Sequence, residues 1–376
     1  MAQQQSMEEL AKSVKLRPET TKKMVEYLKH DLLISLYKHK PDDKRYSPER
    51  QDFNVELNNL IVKTYEEWYG SKFNKDLLSK SKELPLFLMG PPGQGKTASF
   101  TAAAKEVCAA LNLNLVPEVS DDYIPQKEDF ILVVQECAGE NSAITFGGIP
   151  KAEEITDVNG NKKTVLKKAI NYRFTVFDDC AGGILLFDDA ANAPSVIQNV
   201  LLPVAQFKTF QGLSLKNSSV LIGFTGNLGA LDGTYTTEPS SALLTRTLPF
   251  FVSDDLKDFM NRSYQYYNDE LGDMGYVNFL LRNNKDFAHL PDPGQKTGFP
   301  CSRSHDNLIQ AIRLAVLRNG GRGVGESKAL DDIHALAIST LGIEVGLKVV
   351  GYYDSYMKGA DPLAKQSVVN GNFDKA

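Results

Sequence analysis

Apolar positions near the start of the chain recur with a helical period. From Pro18 onward, Met24, Val25, Leu28, Leu32, Leu33 and Leu36 fall on one face. That spacing predicts an amphipathic helix opened by the proline. The polar stretch KHKPDDKRYSPER interrupts it. A second helical face follows, built from Phe53, Leu57, Leu60, Ile61, Tyr65 and Trp68 and ended by Gly70. Short continuous apolar runs then replace the helical period. They are LPLFLMG from Leu84, FILVVQECAG from Phe130, GGILLFDD from Gly182 and SSVLIGFTGN from Ser218. Segments of helical spacing or connecting length separate them. Such alternation predicts an α/β sandwich around a mainly parallel sheet. Between the second and third runs, Asn159-Gly160 sits inside EEITDVNGNKKTVLKK, which predicts an inserted β-hairpin. After about residue 255 the pattern is mostly helical. One helix there carries Leu308, Ile312, Ala315 and Val316 on one face and stops at Gly320-Gly321.

Composition narrows the class only a little. With 376 residues, 42% hydrophobic and 24% charged, the chain has material for two to three domains and a sizeable core. A net charge of −5 gives no sign of a general nucleic-acid coat. No apolar run approaches the roughly 18 residues of a membrane span. The polar start MAQQQSMEELAKS lacks the apolar segment of a leader, so a cytoplasmic location is expected. Cys108, Cys137, Cys180 and Cys301 are far apart, as expected of free thiols in a reducing compartment. The five histidines show no metal-ligand spacing.

The chemistry begins at GPPGQGKT. Gly90, Pro91, Pro92, Gly93, Gln94, Gly95, Lys96 and Thr97 match G-x-x-x-x-G-K-[ST] between an apolar strand and a helix beginning near Ala98. In that context the glycines let backbone N–H groups turn toward an anion, and the helix N-terminus adds its positive end. Lys96 can reach the β- and γ-phosphates of ATP, and the Thr97 hydroxyl can ligate Mg²⁺. In such proteins an apolar strand ending in Asp lies beside the phosphate-loop strand. That gives Asp188 a role in holding the hydrated Mg²⁺, and the adjacent Asp189 a role in polarising the attacking water.

From about Pro85 to Pro362 the chain resembles AAA+ ATPases, and within them the MoxR-like group. MGPPGQGKT is similar to the Walker A loop, and GGILLFDDAANAPSVIQNVLLPVAQFKTFQG to the group's Walker B stretch. GFTGN resembles a sensor-1 strand, which makes Asn227 the sensor. PSSALLTRTLPFFV resembles the segment ending in an arginine finger, which makes Arg246 that finger, acting across a subunit boundary. GFPCSRSHDNL resembles the start of the lid, which places Arg303 as sensor 2. GGIP, Gly147 to Pro150, resembles the RGIP after the group's second strand, and the hairpin beyond it is similar to the helix-2 insert of this clade. The resemblance implies an N-terminal helical region over residues 1–80, an AAA+ α/β nucleotide-binding domain over 81–255 and a helical lid over 256–376. It also implies an ATP hydrolase working as a hexameric ring that remodels or matures a protein client, commonly with a partner carrying a von Willebrand factor A domain. The alternatives are an ATP-dependent nucleic-acid motor or loader, for which the lysines of the hairpin would matter, and a slow nucleotide-dependent scaffold.

The chain departs from the family pattern in two places. The family usually has Glu where Asp189 stands. The shorter side chain falls about 1–1.5 Å short unless the backbone compensates, and such a misplacement can cost on the order of 10²-fold in rate. Slow hydrolysis is therefore expected, with a gain if Asp189 is lengthened to Glu. The second departure is the N-terminal region, which an ATPase core does not need. Its MEELAKSVKLRPETTKKMVEYL has the cadence of a helix-turn-helix, but a docking or ring-packing element is the expected reading, ahead of DNA binding.

Overall fold

The computed structural model describes residues 17–359 apart from 39, 45, 81–83, 141, 157, 159, 211, 230–233, 235–238, 268–273, 291–296 and 319–328. At its centre is a parallel sheet. Its strands are β1 (Pro18–Glu19), β2 (Leu86–Met89), β3 (Asn114–Val116), β4 (Asp129–Glu136), β7 (Gly182–Asp188), β8 (Val220–Gly226) and β9 (Leu248–Val252). Their order is β1-β9-β2-β8-β7-β4-β3, and every pairing is parallel. The strand that leads into the phosphate loop therefore lies between β9 and β8; β7, which ends at Asp188 and was expected beside it, stands one strand further on because β8 pairs with both. This is the αβα sandwich that the apolar runs predicted. The central strands are apolar on both faces because helices cover both faces.

One face packs against α1 (Thr21–Leu36), α2 (Pro48–Tyr69) and α3 (Lys96–Leu111). Met24, Leu28, Leu32, Leu57 and Ile61 share a core with Leu86, Leu88, Phe100, Ala104 and Ile184. The N-terminal helices thus complete the sandwich on this side. Local signals explain their ends. Thr20 accepts the Lys23 N–H at 3.2 Å and caps α1. Ser47 caps α2 with Pro48 behind it, and Gly70 ends α2 in the left-handed region at φ 61°. Pro18 does not open the helix as its position suggested. It lies in β1, paired with Phe251 of β9 at the sheet edge, where a residue without an N–H is tolerated. The preceding part of the helix-turn-helix cadence, residues 1–16, lies outside the described residues, as do Asn159 and the Gly320-Gly321 stop.

The opposite face is aromatic. Phe174 stacks on Phe210 at 4.8 Å and Phe187 on Phe224 at 5.4 Å, beside α4 (Ser195–Phe207). The expected hairpin is present as antiparallel β5 (Ile149–Thr156) and β6 (Lys162–Ala169). It projects into solvent, with Leu166 76% exposed.

The C-terminal part has a core of its own. It comprises α6 (Leu256–Tyr267), α7 (Met274–Arg282), α8 (Ser302–Arg318) and α9 (Ala329–Gly359). Within α9, Asp332–Asp354 is long and apolar enough to cross a membrane by length and composition, which corrects the reading that no such run exists. The corrected feature has a packing explanation. Ile333, Ala337, Leu341, Val345, Val349 and Tyr353 follow one another at four-residue intervals and are buried in this C-terminal core. The backbone leaves the helical region at Gly342, between the two halves of this stripe.

Candidate nucleotide site

The loop after β2 is held at its start by the Gly90 N–H, which donates to the Gly226 carbonyl at 3.2 Å. Gly93 and Gly95 have φ of 77° and 72°, in the left-handed region where a side chain is costly. A Cβ on Gly93 would also lie 2.5 Å from Cys301 Sγ. The loop then enters α3 at Lys96, so backbone donors and the positive end of a helix of four turns converge there.

Lys96 Nζ donates to the Gly90 and Pro91 carbonyls at 2.7 and 2.9 Å and to Asn227 Oδ1 at 3.0 Å. The sequence-predicted sensor therefore touches the sequence-predicted phosphate cation. Thr97 Oγ1 donates to Asp188 Oδ1 at 2.7 Å. Hydroxyl and carboxylate oxygens this close form the hard-oxygen pair that suits Mg²⁺, which keeps several waters and uses few protein ligands. Asp188 and Thr97 fit that ion on the chemistry of their donors.

Asp189 has φ 52° and ψ 35°. Asp and Asn are the non-glycine residues that enter this left-handed region most readily. Its N–H donates to Thr225 Oγ1 at 2.9 Å, and the Thr225 hydroxyl in turn donates to Asp188 Oδ1. Thr225 thus ties the two aspartates to the neighbouring strand. Sequence reasoning passed over it inside GFTGN, because a strand threonine carries no motif signal. Burial raises the Asp189 carboxyl above the ordinary range, and the Asp188 charge adds to this; Lys96 and Arg303 pull it back. Glu136, in register with Asp188 on the adjacent strand, was also missed. Burial raises its carboxyl too, with the charges of Asp189 and Asp188 adding.

A cleft of about 830 Å³ opens beside the loop. Pro92 through Ala98, Asp188, Asp189, Asn227 and Arg303 all border it, and α1 supplies Thr21, Lys22 and Val25 as a further wall. The N-terminal helix is therefore part of the site. Arg246 is not. It follows α5 (Ser241–Leu244) and precedes β9, at the end of the sheet opposite the phosphate loop. With about 3.3 Å per strand residue, β9 alone separates it from the loop end by roughly 13 Å. Its Nε donates to Gln206 Oε1 at 3.1 Å and its Nη1 to the Ala242 carbonyl at 2.7 Å.

No protein-family model matches the chain, and no curated protein matches it. Among solved structures it is similar to a RuvB mutant of Thermotoga maritima, at 12% identity and a TM-score of 0.37, covering 78% of this chain and 72% of that one. The fold itself is a seven-stranded parallel αβα sandwich whose second strand in the chain leads into the glycine loop. What the cleft does rests on the side chains within it.

Proposed function

We propose that the chain is an ATP hydrolase of the AAA+ type, MoxR-like in its insert, working as a ring that remodels or matures a protein client. The observation that carries this is the convergence, in one cleft, of Lys96, the Thr97–Asp188 pair and Asn227 on a left-handed glycine loop. Lys96 and the loop N–H groups would hold the β- and γ-phosphates. Thr97 and Asp188 would hold Mg²⁺, which supplies charge neutralisation between the phosphates. Asp189 would accept the proton of the attacking water, helped by a pKa raised toward working pH. Asn227 would orient that water or the γ-phosphate, and Arg303 would add positive charge from the lid. Arg246 lies too far from its own loop to serve it, which supports a role on a neighbouring subunit and so a ring, hexameric by resemblance. A partner with a von Willebrand factor A domain belongs to the same reading.

Steady-state turnover of Mg-ATP by purified protein tests the hydrolase. Lys96→Ala is expected to abolish nucleotide binding; wild-type affinity in that variant would sink the site assignment. Mixing tests the ring. Lys96→Ala subunits still carry Arg246 and should partly restore turnover to inactive Arg246→Ala subunits. No rescue at any ratio, in assemblies shown to exchange subunits, would remove the finger from Arg246.

A further inference from the structure

We infer that Asp254 is a positioning residue that couples the lid to the phosphate loop, an inference that rests on the cleft being a nucleotide site. Asp254 follows β9 and is 6% exposed. Three parts of the chain meet on it. From the phosphate loop, Gln94 Oε1 accepts the Asp254 N–H at 2.7 Å. From the N-terminal layer, Thr21 Oγ1 lies 3.3 Å from both Asp254 Oδ1 and the Gln94 carbonyl, so the first residue of α1 bridges the two. From the lid, the Ser302 hydroxyl donates to Asp254 Oδ2. Gln94, Thr21 and Ser302 are all buried.

The residues on either side of Ser302 press on the same loop from another direction. Cys301 Sγ and the Arg303 Cβ stand where a Cβ on Gly93 would be, at 2.5 and 3.3 Å. The start of α8 therefore grips the loop twice, at Gly93 through contact and at Gln94 through Asp254. Arg303 is the lid residue that borders the cleft. A shift of the loop around phosphate would move Gln94, then Asp254, then Ser302, and so re-aim Arg303. Buried hydrogen bonds, from the Asp254 N–H to the loop and from Ser302 to its carboxylate, are short-ranged and costly to break, so they transmit displacement rather than absorb it.

The test is hydrogen exchange over residues 302–318, with and without Mg²⁺ and a slowly hydrolysed ATP analogue, alongside direct measurement of analogue affinity and of KM and kcat. The proteins are wild type, Asp254→Asn and Ser302→Ala. Ser302→Ala removes only the lid's bond and keeps the loop's, which guards against a folding defect in the aspartate variant. Expected are slower exchange in wild type on adding the analogue, loss of most of that protection in both variants, and a KM raised about tenfold. Nucleotide-induced protection equal to wild type in both variants overturns the coupling, whatever happens to their melting temperatures. Failure of the wild-type protein to bind the analogue overturns the nucleotide site itself, and the coupling with it.

Discussion

Asp189→Asn isolates the proposed base because the local backbone accepts it. Asp189 sits at φ 52°, where a general L-residue pays about 1–2 kcal/mol. Asn enters this region as readily as Asp, so the substitution adds no backbone strain. It is isosteric, and the backbone N–H bond to Thr225 does not involve the side chain. Only the proton-accepting carboxylate is lost. General-base catalysis contributes about 10²–10⁴-fold, so hydrolysis should fall by that factor. Binding of Mg-ATP should hold or tighten, since one negative charge leaves a half-buried cleft that already carries Asp188. Single-turnover hydrolysis of labelled ATP at saturating Mg²⁺ reads the chemical step apart from release. Hydrolysis by Asp189→Asn within about threefold of wild type, far short of the loss expected when a general base is removed, would refute the assignment. Glu136, in register with Asp188 on the adjacent strand, would then be the carboxylate to test.

For Asp189→Glu, the gain that reach suggests is opposed by the backbone. Glu is a poor left-handed residue, so a loss of about 1 kcal/mol in unfolding free energy and slower turnover are expected; denaturant melts and the same single-turnover assay check both. The acid limb of the wild-type rate profile should lie above the ordinary carboxylate range, because burial and then Asp188 raise Asp189. Arg303 opposes that rise, so Arg303→Gln should move the limb to higher pH; movement downward would contradict the arrangement. Lys38 offers a stability test away from the cleft. Burial, with the charge of Arg50 adding, lowers its pKa from 10.5 to about 8. Between those values the unfolded chain holds the extra proton, so stability rises with pH relative to a variant lacking the amine. The unfolding free energy of wild type minus that of Lys38→Met should climb by about 2–3 kcal/mol from pH 8 to 10.5; a flat difference would show that the hydrogen bonds to Asn217 and Ser219 keep the amine charged.

What was legible in the sequence was what period and motif encode. Four apolar runs became β2, β4, β7 and β8, because strands buried on both faces have to be apolar throughout. The glycine loop was legible because few other residues take φ near 75° at Gly93 and Gly95. The edge strand β1 was not, since two residues carry no alternation and Pro18 reads equally well as a helix start. The long apolar helix Asp332–Asp354 was passed over because its stripe is interleaved with scattered polar residues, so no run looks continuous.

The harder misses were relations between distant positions. Nothing in PETTKKM says that Thr21 will meet Gln94 and Asp254, which stand 73 and 233 residues away. Those contacts exist because α1 packs beside α3 on the sheet and so brings its first turn to the phosphate loop. The same packing predicts that removing α1, part of a region the motif order treats as an addition, opens the cleft. Leu28, Leu32 and Leu33 would leave bare the apolar face they share with Leu88, Phe100 and Ala104, and Thr21 would leave the loop. The methylene argument at Asp189 left out a related fact. It assumed an ordinary backbone, whereas Asp189, tied through its N–H to Thr225 of the neighbouring strand, sits in a left-handed turn that Asp enters at less cost than Glu. Residue choice at that position is therefore set by the backbone and the base together, and reach alone cannot rank Asp against Glu there.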